Sequence, residues 1–362
     1  MRTLGGVLAL TLIIACVQHE RPLGPATIQA TTDMVYGSDT GAVSFGDIRG
    51  IAVDAWGRLY ATDGQDATVH VFDSLGQLVR SLGRRGQGPG ELDTPQGIAF
   101  GPDGNIYLYD AEARRLTVFD TSGAVVTTHP LMISSYGYLW EGGMDSAGRV
   151  LDQQFIRSDS GSEAIVRRMD LKTGTVDTLR YPRCDLKEGR AFKFPHGFMR
   201  VPYAAGGISW LDPSGSVWCA NTDRAVAYRA PFGAAAPVDS FVSSAVPPRV
   251  SDDERAEAIA EAEKLKPRAG EANLDYGLIP EVKAVLQGLN RDARGRLWMQ
   301  IVDSAGPALH VFSPDGNWVA RVWLDHQPAE YHHLAFHGNH VYAVGKDSLG
   351  APVVYRFLVR LS

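Results

Sequence analysis

The chain has 362 residues, a formal net charge of −6, 21% charged residues and 44% apolar residues. This composition supplies a large hydrophobic core and excludes an intrinsically disordered protein. The acidic balance argues against nucleic acid as the main partner, because neutralising phosphates requires a basic surface. Length alone favours about two domains, but the repeats described below override that estimate.

The N-terminus has the pattern of an export signal. Arg2 gives it a basic start, and an apolar run follows over residues 4–14. As a helix this run would reach only about 16 Å, roughly half of the hydrocarbon core of a bilayer, so it is too short to span one. Residues "IIAC", ending at Cys16, resemble a bacterial lipobox, in which the cysteine becomes the lipid-modified first residue.

We therefore predict a lipoprotein signal peptide over residues 1–15, lipidation of Cys16 and a tether over residues 16–30. Several acyl chains would hold the protein firmly, where a single chain binds a membrane only marginally. The protein would then be a membrane-anchored lipoprotein of the cell envelope, on the periplasmic face or the cell surface. A simple cleaved signal with an incidental cysteine is the alternative.

Two further cysteines, Cys184 and Cys219, leave a disulfide open. An exported chain is able to pair them. However, Cys219 lies in the apolar strand pattern "GSVWCAN", where a buried free thiol is common. The sequence does not decide between these alternatives.

An internal repeat organises the rest of the chain. Residues 49–83 align with residues 96–129, and their glycines Gly57 and Gly104 stand 47 positions apart. Each copy contains four apolar runs separated by glycine-containing or polar turns, which is typical of a four-stranded antiparallel meander. Four fainter copies follow, so the chain has six.

Six such units predict an all-β fold, the six-bladed β-propeller, in which each four-stranded blade buries both faces against its neighbours. The second strand carries an aromatic residue at one register in five copies, and Leu151 takes that place in the third. These aromatic residues are Tyr60, Tyr107, Trp218, Trp298 and Tyr342. The last copy stops after three strands, so we expect the segment 31–39 to close the ring as its fourth strand.

Two motifs resemble the NHL-repeat and TolB-like class of six-bladed propellers, and more closely the propeller lipoproteins of environmental bacteria. They are "GxGPGEL..P.GIA" at Gly86–Ala99 and "D..GRLY" at Asp54–Tyr60. The resemblance covers residues 31–362 and implies the fold, but propellers of this kind include binding proteins, lactonases and lyases. We interpret the glycine-rich loop Gly83–Gly97 as a structural turn, because a strand rather than a helix follows it.

One insertion, about residues 245–287, separates the fourth and fifth copies. Ser251 and Glu254 form a capping-box pattern, and Pro267 follows lysines at the other end. These signals predict a surface helix over residues 252–266. The helix is either an ordinary loop insertion or a lid over one end of the ring.

The repeat alignment also predicts a site. Residues that begin the innermost strands converge on one mouth of the central channel. Counting back eleven positions from the second-strand aromatic, with small adjustments, gives five polar residues: Arg49, Gln96, Glu141 beside Trp140, Gln287 and His332. We predict that they bind a small polar ligand, a glycan, a peptide or an envelope protein. Alternatively, they bond neighbouring blades and line a water-filled tunnel.

An enzyme is the second hypothesis: a propeller hydrolase or lyase acting at the same mouth through Glu141, His332 and Arg49. The sequence contains no G-x-S-x-G, C-x-x-C or H-E-x-x-H motif. The calcium site of related lactonases is not supported, since Glu141 is the single carboxylate of the five. We therefore predict no cofactor and no metal, and we expect a monomer.

The histidine-rich stretch "YHHLAFHGNH" does not change that prediction. His332 and His337 lie five strand positions apart, which is about 16 Å and too far for one zinc ion. We also expect His332 and His333 to point to opposite faces of the strand. His70 and His310 share one repeat position, which predicts blade-surface residues.

Overall fold

The structure, a computed structural model, describes residues 25–37, 43–131, 133, 140, 143–158, 161–330 and 332–361. Its N-terminal strands and first two blades are β1 (Ala26–Gln29), β2 (Thr31–Tyr36), β3 (Ile48–Val53), β4 (Leu59–Asp63), β5 (Thr68–Phe72), β6 (Leu78–Leu82), β7 (Pro95–Phe100), β8 (Ile106–Asp110), β9 (Arg115–Phe119) and β10 (Val125–Pro130). Blade three, a hairpin and blade four follow as β11 (Arg149–Ser158), β12 (Gly161–Asp170), β13 (Val176–Arg180), β14 (Ala191–Phe194), β15 (Gly197–Arg200), β16 (Gly207–Asp212), β17 (Ser216–Asn221), β18 (Val226–Pro231) and β19 (Asp239–Val242).

The remaining elements are α1 (Asp252–Ala269), a 3₁₀ turn (Tyr276–Leu278), β20 (Leu286–Arg291), β21 (Leu297–Asp303), β22 (Gly306–Phe312), β23 (Trp318–Trp323), β24 (Ala335–His337), β25 (His340–Lys346) and β26 (Pro352–Leu358). The strands form six blades in which consecutive strands of the chain pair antiparallel from the innermost strand outward, and β1 and β2 add to the outer edges of blades five and six. The predicted six-bladed propeller is confirmed. In the described part of blade three, a single bridge between Met144 and Val150 is found where the other blades have a first strand.

Strand β2 closes the ring, as the sequence predicts. It pairs antiparallel with β26, from Thr31 opposite Leu358 to Tyr36 opposite Val354. Arg356 on β26 donates to the Asp33 carboxylate over 2.8 Å, which fixes the pairing further. Joining the two ends of the chain in one blade removes two exposed sheet edges.

Strand β1 departs from the predicted tether over residues 16–30. Ala26–Gln29 runs parallel to β23 as a fifth, outer strand of blade five. The edge of β23 offers unpaired backbone groups, and Ile28 packs against the apolar cluster between blades five and six. The end of the predicted tether is therefore part of the folded propeller.

The hydrophobic core is divided into clusters between neighbouring blades. Tyr36, Leu59 and Tyr342 lie in the cluster between blades six and one, while Val69 and Leu108 lie between blades one and two. Equivalent clusters separate the other four blade pairs. Each blade is thus stabilised by burying apolar surface on both faces, and not by a core of its own.

The "D..GRLY" motif is structural. Asp54 accepts hydrogen bonds from the backbone N–H groups of Trp56 and Arg58, each over 2.9 Å, and its other oxygen pairs with the Arg58 guanidinium at 2.6 Å. In blade five, Asp292 pairs with its own arginine and accepts from the indole N–H of Trp298 over 2.9 Å. The recurring aromatic therefore completes a turn cap as well as filling the core.

The glycine-rich loop is also structural. Arg84 donates to Glu91 over 2.9 Å, and the backbone N–H of Gly88 donates to the same carboxylate over 2.9 Å. Leu92, within the loop, is fully buried. The loop fastens blade one to blade two, and its charges pair with one another.

The predicted helix begins at Asp252 with the predicted capping box but ends at Ala269, three residues later than expected. Pro267 lies in its last turn, where it removes only its own N–H donor. The turn closes because the N–H of Gly270 donates to the carbonyl of Lys266 over 2.9 Å.

The prediction for His310 as a blade-surface residue is wrong, since this side chain is fully buried. Its ring lies 4.9 Å from that of Trp318, and Arg321 donates to its Nε2 atom over 3.3 Å. Strand β23 carries both of these neighbours and covers the histidine. The repeat position alone did not predict these two contacts. His70 in blade one is half-buried.

Candidate functional site

The first strands of the blades lie innermost and contact one another around the axis. β3 contacts both β7 and β24, and β16 contacts β20. Arg49, Gln96 and Gln287 belong to these strands, and His332 lies three positions before β24 begins at Ala335. The structure therefore provides the axial mouth on which the sequence prediction depends.

A cap lies over part of this mouth. It consists of the hairpin β14–β15 and helix α1. The two pack together in one apolar cluster, which contains Phe192, Val201, Ala258 and Ala262. The hairpin belongs to a second insertion, residues 181–206, between blades three and four. This insertion was not predicted, although the spacing between the third and fourth repeats shows its length.

A disulfide between Cys184 and Cys219 ties the second insertion to blade four, with 6.4 Å between the Cα atoms. Cys219 lies on β17 and is buried. The bond resolves the alternative that the sequence left open. It fixes the start of the cap to the propeller beneath it.

Two adjoining cavities lie where the cap meets blades four, five and six. We call the first, of about 330 Å³, the cap lobe, and the second, of about 300 Å³, the axial lobe. Arg200, Ile208 and Gln287 line both lobes, so the two form one cleft. The cap lobe also contains Tyr203, Lys283, Gln327 and Glu330, and the axial lobe contains Trp210, Gln300, His332 and His333.

Gln287 is the predicted residue with the most central position. It lies on β20, between the two lobes. Its amide NH₂ donates to Glu330 over 2.9 Å, and its amide oxygen accepts from Gln327 over 2.8 Å. These bonds hold the amide in one orientation against the linker between blades five and six.

His332 lines the axial lobe, and Arg49 lies close enough to affect its titration. The pKa of His332 is lowered to about 4, chiefly by burial; the negative charge of Asp47 opposes the shift, and the positive charge of Arg49 adds to it. Arg49 itself pairs with Asp47 at 2.5 Å. The imidazole of His332 is therefore neutral at pH 7.

The other two predicted residues, Gln96 and Glu141, are not brought into the cleft by the described structure. Gln96 on β7 is buried, at 5% exposure, and is not among the described residues that line either lobe. Its carbonyl accepts from the backbone N–H of Trp140 over 3.4 Å, so it joins blades two and three. Glu141 lies outside the described residues. The structure thus brings Gln287 and His332 into one cleft, with Arg49 beside them.

The expectation that His332 and His333 point to opposite faces of a strand is wrong. Strand β24 begins only at Ala335, so both histidines precede it, and both line the axial lobe. The ring of His333 lies 5.9 Å from that of Trp210. Burial lowers the pKa of His333 to about 4, with His332 as a smaller cause.

Several cleft residues were not predicted from the sequence, because the two insertions supply them from outside the repeat. Tyr203 adopts a φ of 64°, a left-handed conformation that costs a tyrosine about 1 kcal/mol. Its ring lies 5.3 Å from the ammonium of Lys283, which also pairs with Glu254 on α1. A strained residue at a cavity wall is typical of functional sites.

The described residues form a six-bladed β-propeller with a capped axial cleft. Residues 40–159, about a third of the chain, match a protein-family model described as a 6-bladed beta-propeller (DUF5128). No curated protein matches the chain. No helix within the described ranges is both apolar enough and long enough to cross a bilayer.

Solved structures share the fold at low identity. A Bacteroides fragilis protein named as exported is 12% identical, with a TM-score of 0.50, over 92% of this chain and 99% of its own. Virginiamycin B lyase from Staphylococcus aureus is 10% identical, with a TM-score of 0.41, over 86% and 95%. Regucalcin, a calcium-binding protein from Agrobacterium tumefaciens, is 14% identical, with a TM-score of 0.38, over 93% and 98%. At these identities the likeness shows the fold alone.

Proposed function

We propose that this chain is an exported, lipid-anchored propeller that binds a small polar ligand in the capped axial cleft. The observation that carries the proposal is the cleft itself, which two insertions and three blades build together. Cavities of this size, with an apolar wall and a few fixed polar groups, are typical of small-molecule sites. Ile208 and Trp210 provide the apolar wall, and Gln287 provides a fixed amide.

The charges in the cleft favour an uncharged ligand. Lys283 is paired with Glu254, and Glu330 accepts from the Gln287 amide. His332 and His333 are neutral at pH 7 because burial lowers the pKa of each. The cap lobe also holds charges of both signs, on Arg200 and Glu330, so a ligand with a net charge would lose its hydration and meet a like charge as well as a counter-charge. A sugar unit or an uncharged peptide segment meets this requirement.

Export and anchoring support a role in the cell envelope. The sequence pattern that ends at Cys16 is that of a lipoprotein signal, and a disulfide such as Cys184–Cys219 persists in oxidising compartments. A structural neighbour from Bacteroides fragilis is also named as exported. The ligand would be a molecule or a partner of the envelope.

The alternative is a hydrolase or lyase that acts at the same mouth through Glu141, His332 and Arg49. The neutral imidazole of His332 has the protonation state of a general base. A pKa of about 4 makes it a weak base, however, whereas efficient bases have pKa values near the working pH. Binding without chemistry is therefore the better-supported function.

The proposal is tested with the purified protein by thermal shift against two panels, one of neutral mono- and disaccharides and one of capped dipeptides. We expect at least one compound to raise the melting temperature by a few degrees at saturation. Ile208→Trp, which fills the cleft, should abolish the shift. Val126→Trp, on the exposed edge strand β10, is the matched control and should retain it. A shift that survives Ile208→Trp would place the ligand elsewhere and overturn the proposal.

A further inference from the structure

We propose that blade one carries a binding site for a divalent transition-metal cation, formed by Asp63, Asp66 and His70. One ligand atom from each residue lies within 4.8 Å of the other two. A zinc ion with ligands at 2.0–2.2 Å holds them roughly 3.4 Å apart, so closure requires a movement of about 1 Å. Asp66 is exposed and lies in the turn between β4 and β5, where its side chain is free to make that movement.

One ring nitrogen of His70 lacks a hydrogen-bond partner among the described residues. Its Nδ1 atom bonds to the Ser81 hydroxyl over 3.0 Å, while Nε2 is buried and has no hydrogen-bond partner among the described residues. A bond from Nδ1–H to the hydroxyl leaves the lone pair on Nε2, which is the form that coordinates a metal. Burial also lowers the pKa of His70, and this keeps the ring neutral.

Blade five shows what a purely structural histidine looks like at the same repeat position. His310 faces Arg321 across the strand pair as His70 faces Ser81. Arg321 donates to Nε2 of His310 over 3.3 Å and Ser243 bonds its Nδ1 over 2.7 Å, so both nitrogens are satisfied. In blade one, serine replaces that arginine and Nε2 is left unpaired. The unpaired Nε2 atom therefore distinguishes His70 from the structural histidine and makes it available to coordinate a metal.

Asp63 keeps room for a metal bond in addition to its structural role. Its Oδ1 atom accepts from the backbone N–H groups of Asp47 and Gln65, over 3.1 Å and 2.9 Å. Its Oδ2 atom accepts from Gly46 over 2.8 Å, which leaves a lone pair of this oxygen for a cation. Two carboxylate oxygens, one imidazole nitrogen and a water molecule complete a tetrahedral zinc site with an open position.

The test is a calorimetric titration of the purified, metal-stripped protein with Zn²⁺. We expect one ion to bind per chain, with a measurable heat of binding. Asp66→Asn alters an exposed residue and should weaken binding by about a hundredfold or more, since even outer-shell partners of a metal contribute ten- to a hundredfold. Ser81→Arg should abolish binding while preserving the melting temperature, because it supplies to His70 the partner that Arg321 supplies to His310.

His196→Ala removes an exposed histidine of the cap hairpin and is the matched control, which should bind as the wild type does. A wild-type protein that binds no Zn²⁺ would overturn the proposal. So would full stoichiometry and affinity in both Asp66→Asn and Ser81→Arg, which would assign the ion to other histidines. A parallel titration with Ca²⁺ checks the metal class, since calcium binding at this site in place of zinc contradicts the assignment. None of these outcomes bears on the cleft ligand.

Discussion

Gln287 donates to the carboxylate of Glu330 over 2.9 Å and thereby joins the first strand of blade five to the linker before blade six. The bond forms part of the wall of the cap lobe. The same amide accepts from Gln327, so one side chain holds the linker at two points. His332 and His333 lie in the same linker, shortly after Glu330.

Replacing Gln287 by glutamate should therefore destabilise the protein at neutral pH. Two adjacent carboxylates at this half-buried position would repel each other by about 1 kcal/mol. Denaturant unfolding at pH 7 measures the loss. At a pH low enough to protonate one carboxyl group, the difference from the wild type should disappear, because a carboxylic acid is again able to donate to Glu330. Gln287→Met is the control without charge. If the loss of stability in Gln287→Glu were the same at neutral and low pH, the explanation would be contradicted.

The stability of the protein should fall as the pH drops from about 6.5 towards 4. Burial lowers the pKa of His310, His332 and His333 to about 4, while in the unfolded chain each has the usual value near 6.5. Between these limits the unfolded state binds more protons, so protonation favours unfolding by up to about 3 kcal/mol for each group. Urea unfolding at pH 7 and pH 5 measures the change, above the range in which most carboxylates titrate.

His310→Gln tests the origin of that pH dependence. Glutamine is able to accept from Arg321 and donate to Ser243 without titrating, so the slope of stability against pH should fall by roughly a quarter to a third. His196→Gln, at an exposed position, should leave the slope unchanged. An unchanged slope in His310→Gln would show that this histidine does not contribute.

Loss of the Cys184–Cys219 disulfide should lower stability by about 2–4 kcal/mol, as expected for a cross-link that closes a loop of 35 residues. The double variant Cys184→Ser, Cys219→Ala keeps the buried position small and apolar. Its unfolding midpoint should match that of the wild type measured in dithiothreitol, and should itself be insensitive to dithiothreitol. A wild type whose midpoint does not respond to the reductant would contradict the cross-link.

Cys16→Ser should release the protein from the membrane after export. Without the thiol no lipid is attached, so the predicted membrane anchor is lost. Membrane fractionation of the producing cell, with Cys184→Ser as a control that leaves Cys16 in place, measures the change. Unchanged membrane association of Cys16→Ser would contradict the predicted anchor.

The blades were predictable because their signals are local and repeated. Gly57 and Gly104 mark equivalent turns, and the apolar alternation between them specifies strands that need no knowledge of distant contacts. The closing strand was predictable as well, since the last copy lacks one. Strand β1 was not, because its parallel pairing with β23 joins segments about 300 residues apart and leaves only a short alternation in the sequence.

The site was predictable only in part. Repeat register placed Gln287 and His332 at the axial mouth, since it reports which residues begin the inner strands. It gave no information about Tyr203 and Lys283, which reach the cleft from insertions outside the repeat. The disulfide likewise depends on how the second insertion folds back over blade four. Features that depend on how two insertions pack together cannot be predicted from local sequence patterns.

The pairing of β1 with blade five limits how the propeller can stand above a membrane. If Cys16 carries the lipid, only nine residues separate it from Ala26, and a fully extended chain of that length reaches about 30 Å. The rim of blade five would then stay within about 30 Å of the bilayer surface. An attachment at the circumference and not at the axis would limit the height of the disc above the membrane but not its tilt.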